Sequence, residues 1–119
     1  MIPLTPERLA AVYECLRAFP PFNRLCLPDA SVIKFRVLKT RAYHGDYTRY
    51  IGTNEHFIGV SKATHAHFES LASTIAHEAI HLHQAIAKTE TGKTQHNAEF
   101  KRLALRACKT FGFDYGQFL

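Results

Sequence analysis

The sequence predicts a single α+β domain over residues 1–119, with an N-terminal helix, a small antiparallel three-stranded sheet and a helical hairpin. An apolar stripe at helical spacing near the start predicts the first helix. Three short segments with turn residues between them predict the sheet, and two further helical patterns predict the hairpin. A chain of 119 residues with 46% hydrophobic content can bury one core, and a second domain does not fit.

The N-terminal helix is indicated by Thr5, a good capping residue, and by Pro6, which suits the first helical position. Pro20 and Pro21 are expected to end this helix. Its apolar residues recur at helical spacing and would form one buried stripe: Leu9, Val12, Tyr13 and Leu16.

Three segments between residues 31 and 60 are typical of short strands. In residues 31–38, Ile33, Phe35 and Val37 alternate with Lys34 and Arg36, as expected of a half-buried strand with a basic outer face. Turn residues at 44–46 and 52–54 separate this strand from residues 47–51, and those from residues 56–60. This spacing predicts an antiparallel meander.

The longest helical pattern opens at His65 and His67 and is expected to end at Gly92. Neither of these early histidines lies in register with the histidines further along the helix. The apolar residues predicted to face the core are Phe68, Leu71, Ala72, Ile75, Ala79, Leu82 and Ile86.

The most informative feature of this helix is the motif His77-Glu78-Ala79-Ile80-His81. Side chains four residues apart lie on one helical face, so His77 and His81 can bind one Zn²⁺ while Glu78 can reach a water on that ion. The spacing therefore predicts a metallohydrolase with Glu78 as general base. In the alternative interpretation, the two histidines are only polar residues on a helix face.

His96 is the candidate for the third ligand that a catalytic zinc site requires. The segment Gln95–Phe111 resumes helical periodicity after breaker residues 89–92, which would put His96 in the first turn of the second helix. His83 lies about 200° around the helix from His81, so we expect it at the surface or around the ligands. His44 and His56 are expected to be solvated.

These residues resemble the SprT-like zinc metallopeptidases of the SprT/Spartan type, over roughly residues 43–113. Members carry His-Glu-x-x-His on one helix and, near the start of the next, a third His followed by a small, an acidic and an aromatic residue. The second motif is His96-Asn97-Ala98-Glu99-Phe100 here, with Asn97 where the family usually has Gly. The C-terminal zinc ribbon that many members carry is not found in the sequence.

The resemblance implies a compact zincin-like core and a zinc endopeptidase with ligands His77, His81 and His96 and the base Glu78. Zincin-type peptidases bind an extended substrate along an edge strand of the sheet. We expect this edge at residues 55–60, which lead directly into the motif helix. There, a peptide would add as a further strand.

The resemblance also implies DNA or DNA-bound proteins as partners, in line with a formal charge of +5 and a pI near 9.3. Such contacts would be made mainly to phosphates. The alternative is that the same charges form an ordinary solvated face. The candidate residues are Lys34, Arg36, Lys101, Arg102, Arg106 and Lys109.

Two other function classes compete with a SprT-like peptidase. A regulatory peptidase resembling the ImmA/IrrE type also uses His-Glu-x-x-His but takes its third ligand from another setting, so a remote His96 would favour it. A non-catalytic zinc-containing module could bind nucleic acid instead.

Near the zinc, Tyr115 could act as a polarising group, although no spacing supports this. The tail aromatics, which are expected to cap the core, are Phe111, Phe113, Tyr115 and Phe118.

The three cysteines, Cys15, Cys26 and Cys108, contain no C-x-x-C pair, which argues against a disulfide framework and against a cysteine zinc site. We expect Cys15 and Cys108 to behave as small hydrophobic residues within helices.

No apolar run approaches the length of a membrane span, and the first six residues lack the features of a signal peptide. The sequence therefore predicts a soluble, cytoplasmic protein.

Overall fold

The computed structural model describes residues 3–64, 67–91 and 95–119, and within them it has the predicted α+β class. This part of the chain contains four α-helices and a three-stranded mixed sheet. The elements are α1 (Pro6–Arg17), β1 (Ile33–Leu38), β2 (Gly45–Tyr50), β3 (Glu55–Ser61), α2 (Phe68–Ala87), α3 (Ala98–Phe111) and α4 (Tyr115–Phe118). Helices α1 and α2 pack against the sheet, and α3 and α4 pack against α2.

Helix α1 confirms the prediction from its apolar stripe. The Thr5 side chain caps it by accepting a hydrogen bond from the Arg8 backbone N–H at 3.2 Å. Leu9, Tyr13 and Leu16 are buried, and the Tyr13 hydroxyl donates to the Pro28 carbonyl at 2.7 Å. The helix is therefore held both to the core and to the loop that leads into β1.

The predicted antiparallel meander is wrong, because β3 lies between the other two strands. β3 pairs antiparallel with β2 but parallel with β1. The segment between β1 and β2 crosses the end of β3, where the Ser61 N–H donates to the His44 carbonyl at 2.7 Å and the Lys62 N–H donates to the Leu38 carbonyl at 2.9 Å. The most apolar strand thus takes the centre, and Ile58 is fully buried there.

The prediction that residues 55–60 form the edge strand is wrong for the same reason. β1 and β2 are the edges of the sheet, and β2 runs beside α2. Their approach is close, since a Cβ on Gly45 would lie 2.6 Å from the Thr74 Cγ2 and 2.7 Å from the Gly59 carbonyl oxygen. Only glycine fits Gly45 at this distance without a shift of its neighbours.

Both helices of the hairpin are shorter than predicted. His67 is the residue before α2. The helix ends at Ala87, five residues ahead of Gly92, and a left-handed Lys88 is its C-cap. His65 and Gly92 lie outside the described residues. Asn97 caps α3 by accepting from the Phe100 N–H at 2.9 Å. Since an asparagine cap starts the helix after itself, His96 precedes α3 and does not lie in its first turn.

The core contains most of the predicted apolar positions of α2 together with Phe100 and Leu103 of α3. Phe68 and Ile86, at the two ends of α2, are exposed by 68% and 37% and lie outside this core. The tail caps the core as predicted. Its aromatics are either buried in the core or packed against it: Phe111, Phe113, Tyr115 and Phe118.

All three cysteines are free thiols. Cys108 is buried, but Cys15 lies on the outer side of α1, so its expected burial among apolar residues is wrong. None of the helices in the described residues combines the length and the apolar character that crossing a membrane requires.

Candidate metal centre

The structure brings the three predicted histidines together. One ring nitrogen from each of His77, His81 and His96 lies within 4.8 Å of the others. The Nε2 atoms of His77 and His81, one helical turn apart, are separated by 3.3 Å. Helix α2 thus supplies two nitrogens by its own periodicity, while the third comes from the segment just before α3.

Phe100 forms an aromatic support for this group. Its fully buried ring stacks on His96 with centroids 4.4 Å apart and lies 4.6 Å from the His81 ring and 5.0 Å from the His77 ring. Because Phe100 lies in the first turn of α3, the same helix that follows His96 also packs its ring against the pair on α2. The histidine rings are therefore restrained by packing as well as by the backbone.

The orientation of His77 is set by the C-terminal tail. Its Nδ1 lies 2.7 Å from the Phe118 carbonyl oxygen, and since a carbonyl only accepts, Nδ1 carries the proton and donates. The Nε2 lone pair then points towards the other histidines, as in metal sites where a second partner determines the tautomer. Sequence reasoning missed this contact because a main-chain carbonyl can come from any residue type.

The electrostatic surroundings keep the three imidazoles neutral. Burial lowers the pKa of His77 to about 4 and that of His81 to about 3. Burial also lowers the pKa of His96, although this side chain is less enclosed. Neutral imidazole is the form that binds a metal ion, so these three residues could hold one.

Glu78 lies next to the histidines but outside the three-residue set. Only 6% of it is exposed, and burial together with the nearby Asp46 carboxylate raises the pKa of Glu78 to about 8. A buried carboxyl group with a raised pKa beside possible metal ligands is a common arrangement at catalytic sites.

A cleft of about 570 Å³ opens onto these groups. One wall carries the three histidines and Glu78, and the facing wall comes from the start of β2. Tyr43, Asp46 and Tyr47 line the β2 side, and Glu90 and Gln95 line the cleft as well. The edge strand of the sheet thus borders the site, but this strand is β2 and not β3.

A family model described as SprT-like family matches residues 21–116. The chain belongs to the SprT-like family. Membership makes it a metallopeptidase-like domain and supports a metal site at the three histidines. Comparisons with curated proteins and with solved structures give no match.

Two other histidines of this SprT-like domain, His83 and His56, lie in different surroundings from those predicted. His83 is buried, and its Nδ1 accepts from the Cys26 N–H at 3.0 Å, so it is neither at the surface nor around the metal site. His56 is also buried, and the Tyr47 hydroxyl lies 2.7 Å from its Nδ1, so the prediction that it is solvated is wrong. His44 is exposed, as expected.

Two tyrosines in the cleft were not predicted as site residues. Tyr43 and Tyr47 line the cleft, whereas Tyr115 packs against the core. Alternation along β2 could have shown which face of the strand carries Tyr47, but not that this face meets α2 beside Glu78. That contact depends on the strand order, which the sequence pattern did not reveal.

Proposed function

We propose that this SprT-like domain is a zinc-dependent endopeptidase that hydrolyses peptide bonds in the cleft between β2 and α2. The observation that carries this proposal is the convergence of His77, His81 and His96 beside Glu78 on one wall of the cleft. Three neutral nitrogen donors with one side open to a cleft fit zinc, which in catalytic sites takes three protein ligands and a water.

Each residue of the site then has a defined task. Zinc, when bound, supplies Lewis acidity to a water molecule and to the scissile carbonyl. His77, His81 and His96 would hold the ion, and the Phe118 carbonyl keeps His77 in the tautomer that can bind it. Glu78 would accept the proton of the attacking water and transfer it to the leaving amine.

The substrate backbone is held by β2 in this proposal. β2 is an edge strand of the described sheet, with β3 as its neighbouring strand, so an extended peptide would add along its outer side. Gly45 and Tyr47 line the same cleft as Glu78, which would bring a peptide added there to the histidines. Tyr43, which is 49% exposed, offers an aromatic surface to a substrate side chain.

The test compares zinc content and cleavage of an unfolded protein such as casein. Glu78→Gln should keep its zinc and lose at least about 100-fold in cleavage rate, because the base is removed and the ligands are not. Glu69→Gln is the matched control, since it makes the same change at an exposed position of the same helix. Equal cleavage by zinc-loaded wild type and Glu78→Gln would leave the non-catalytic zinc-containing module as the better interpretation.

We also propose that a nucleic acid binds through its phosphates at a second, basic pocket of about 440 Å³. Four cations line this pocket, Arg24 from the short turn after α1 and Arg102, Arg106 and Lys109 from α3. Within the part of the chain that the structure describes, Arg24, Arg106 and Lys109 form no ion pair. These charges remain available to an anion, and Arg24 was not among the residues predicted from the sequence.

The other predicted basic residues support the proposal less. Lys34 pairs with Glu55, and the cationic groups of Lys34 and Arg36 lie 5.7 Å and 4.7 Å from the centre of the Phe57 ring. Their charges are therefore already engaged by neighbours on the sheet. Lys101 is exposed but does not line the pocket.

The test is a titration with a duplex oligonucleotide at two salt concentrations. Binding should be independent of base sequence, and it should weaken steeply as salt rises. Arg24→Glu and Arg106→Glu should each lower the affinity for the oligonucleotide. Each should also make the plot of log affinity against log salt concentration less steep, by about one unit for each phosphate that the variant no longer binds. Lys101→Glu is the control with the same charge change outside the pocket. No binding by the wild type at low salt, or equal losses in all three variants, would contradict the proposal.

A further inference from the structure

Gln84 is a buried amide on the helix that carries the first two histidines. It lies one turn after His81, and only 1% of it is exposed. Its Nε2 donates two hydrogen bonds, to the Asn97 Oδ1 and to the Glu99 Oε1, both at 2.9 Å. A polar side chain this deep in the structure needs such partners, because an unpaired buried amide is costly.

Asn97, the main partner of Gln84, is the residue next to His96. Its Oδ1 accepts from the Phe100 N–H at 2.9 Å as well as from Gln84, and its Nδ2 donates to the Thr89 carbonyl at 3.0 Å. The Asn97 amide is thus held from three sides, by α2, by the chain just after α2 and by the first turn of α3. The backbone at His96 is restrained through its immediate neighbour.

The two halves of the candidate metal centre are therefore joined by a hydrogen bond. His77 and His81 are fixed relative to each other by one helix, but His96 belongs to another segment and needs a link to that helix. The hydrogen bond between Gln84 and Asn97 is such a link, and the stacking of Phe100 on His96 is a second one. Residues around metal ligands commonly orient them in this indirect way.

We propose that Gln84 is a positioning residue of the metal centre, which holds His96 within reach of His77 and His81 through Asn97. The proposal rests on the proposed function only in that the three histidines bind zinc. Gln84 itself touches neither the metal position nor the substrate cleft, and it acts through the backbone of the residue after His96.

His83 provides a matched control for a merely structural role. It is the preceding residue of α2 and is also buried. Its side chain is hydrogen-bonded to a distant segment too, with Nδ1 accepting from the Cys26 N–H. That segment is the loop before β1, so removal of the His83 side chain should weaken the fold without moving His96. The two neighbouring residues thus separate stability from positioning.

The experiment is a double-mutant cycle read out by zinc affinity. Zinc binding is measured by competition with a chromophoric chelator for wild type, Gln84→Met, His96→Ala and the double variant, beside His83→Ala. Gln84→Met should lower the affinity by about 10- to 100-fold, as expected when a residue that orients a ligand is lost. The double variant should bind no more weakly than His96→Ala, since Gln84 acts through His96. His83→Ala should lower the unfolding temperature and keep wild-type zinc affinity.

A second readout and a second variant keep the test decisive. The visible spectrum of the cobalt-substituted Gln84→Met protein should shift towards that of His96→Ala. If Gln84→Met does not fold, Asn97→Ser retains a capping residue at α3, removes the amide that Gln84 binds and should give the same loss. Wild-type zinc affinity in Gln84→Met, or in Asn97→Ser, would overturn the proposal. A loss of zinc affinity in the double variant equal to the sum of the two single losses in binding free energy would overturn it as well. Zinc binding by the wild type without cleavage contradicts only the proposed function, whereas no zinc binding at all overturns both.

Discussion

The cleft beside Glu78 and the pocket beside Arg106 differ in the charge and in the exposure of their polar groups. Among the described residues that line it, the cleft has the acids Asp46, Glu78 and Glu90 and no lysine or arginine. The pocket is lined by four cations and by one acid, Glu99, which is hydrogen-bonded to Gln84. The net charge of +5 is therefore unevenly distributed over a small domain.

The cleft and the pocket therefore differ in the physical effects that their residues produce. Burial in the cleft raises the pKa of Glu78 and lowers that of His77, a pattern that is common at functional sites. In the proposed function, the exposed Arg102, Arg106 and Lys109 would attract a polyanion over a longer distance. We infer that a nucleic acid would be held away from the cleft, which stays accessible to a polypeptide.

The largest expected effect is the loss of zinc affinity in the histidine variants, which also tests whether the cleft and the basic pocket act separately. His81→Ala, His77→Ala and His96→Ala should each lower zinc affinity by at least about 100-fold, or roughly 2.7 kcal/mol, because a ligand is lost. Oligonucleotide binding at the basic pocket should stay at the wild-type level. Full zinc occupancy in His96→Ala beside loss in His81→Ala would refute the third ligand, and parallel loss of oligonucleotide binding would refute the separation.

The next effect concerns the contact that builds the cleft. Gly45→Ala places a Cβ 2.6 Å from the Thr74 Cγ2 and 2.7 Å from the Gly59 carbonyl oxygen, so β2 must move away from α2. We expect a loss of about 1–3 kcal/mol in the free energy of unfolding, measured with urea. Gly52→Ala, where a Cβ would have nothing within 4 Å, is the control and should change it by less than about 0.5 kcal/mol. Equal stability of the two variants would show that the cleft wall is not tightly packed.

A smaller effect is expected on substrate preference. Two peptides that differ only by Lys or Glu beside the scissile bond should differ in kcat/KM by roughly fivefold in favour of Lys, about 1 kcal/mol of charge interaction in a hydrated cleft. Asp46→Asn should lower the ratio of the two kcat/KM values, because it removes a negative charge from the cleft. Added salt should also lower this ratio, because it screens the charges. A preference for the Glu peptide would show that the basic pocket, and not the cleft, governs substrate choice.

The smallest effect is a pH dependence that arises from His56. Burial lowers the pKa of His56 below its ordinary value of 6.5, so the unfolded chain binds a proton there that the folded chain does not. Stability should fall as the pH drops below about 6.5, because protonation favours the unfolded state. His56→Gln keeps a hydrogen-bonding partner for the Tyr47 hydroxyl but does not titrate. Urea unfolding should therefore show that the metal-free variant loses less stability between pH 7 and pH 5 than the metal-free wild type. Parallel curves for the two proteins would contradict this.

The spacing of residues in the sequence determined the helices and the part of the site that lies on α2. His77, Glu78 and His81 are close in the structure because one helical turn brings residues four apart together, and this holds wherever the helix packs. The stripe of α1 and the α+β class follow from periodicity in the same way. Family resemblance extended this to His96, which the structure does bring near the pair, although ahead of α3 and not within it.

Only the tertiary structure decided the remaining features. The order of the strands, the burial of His83 and the contribution of Arg24 to the basic pocket all depend on which distant segments meet. Turn residues indicate that a chain reverses but not which strand it then pairs with, and a hydrogen bond such as Cys26 to His83 joins residues 57 positions apart. The Phe118 carbonyl at His77 is the extreme case, because every residue carries a carbonyl and only the packing of the tail selects this one.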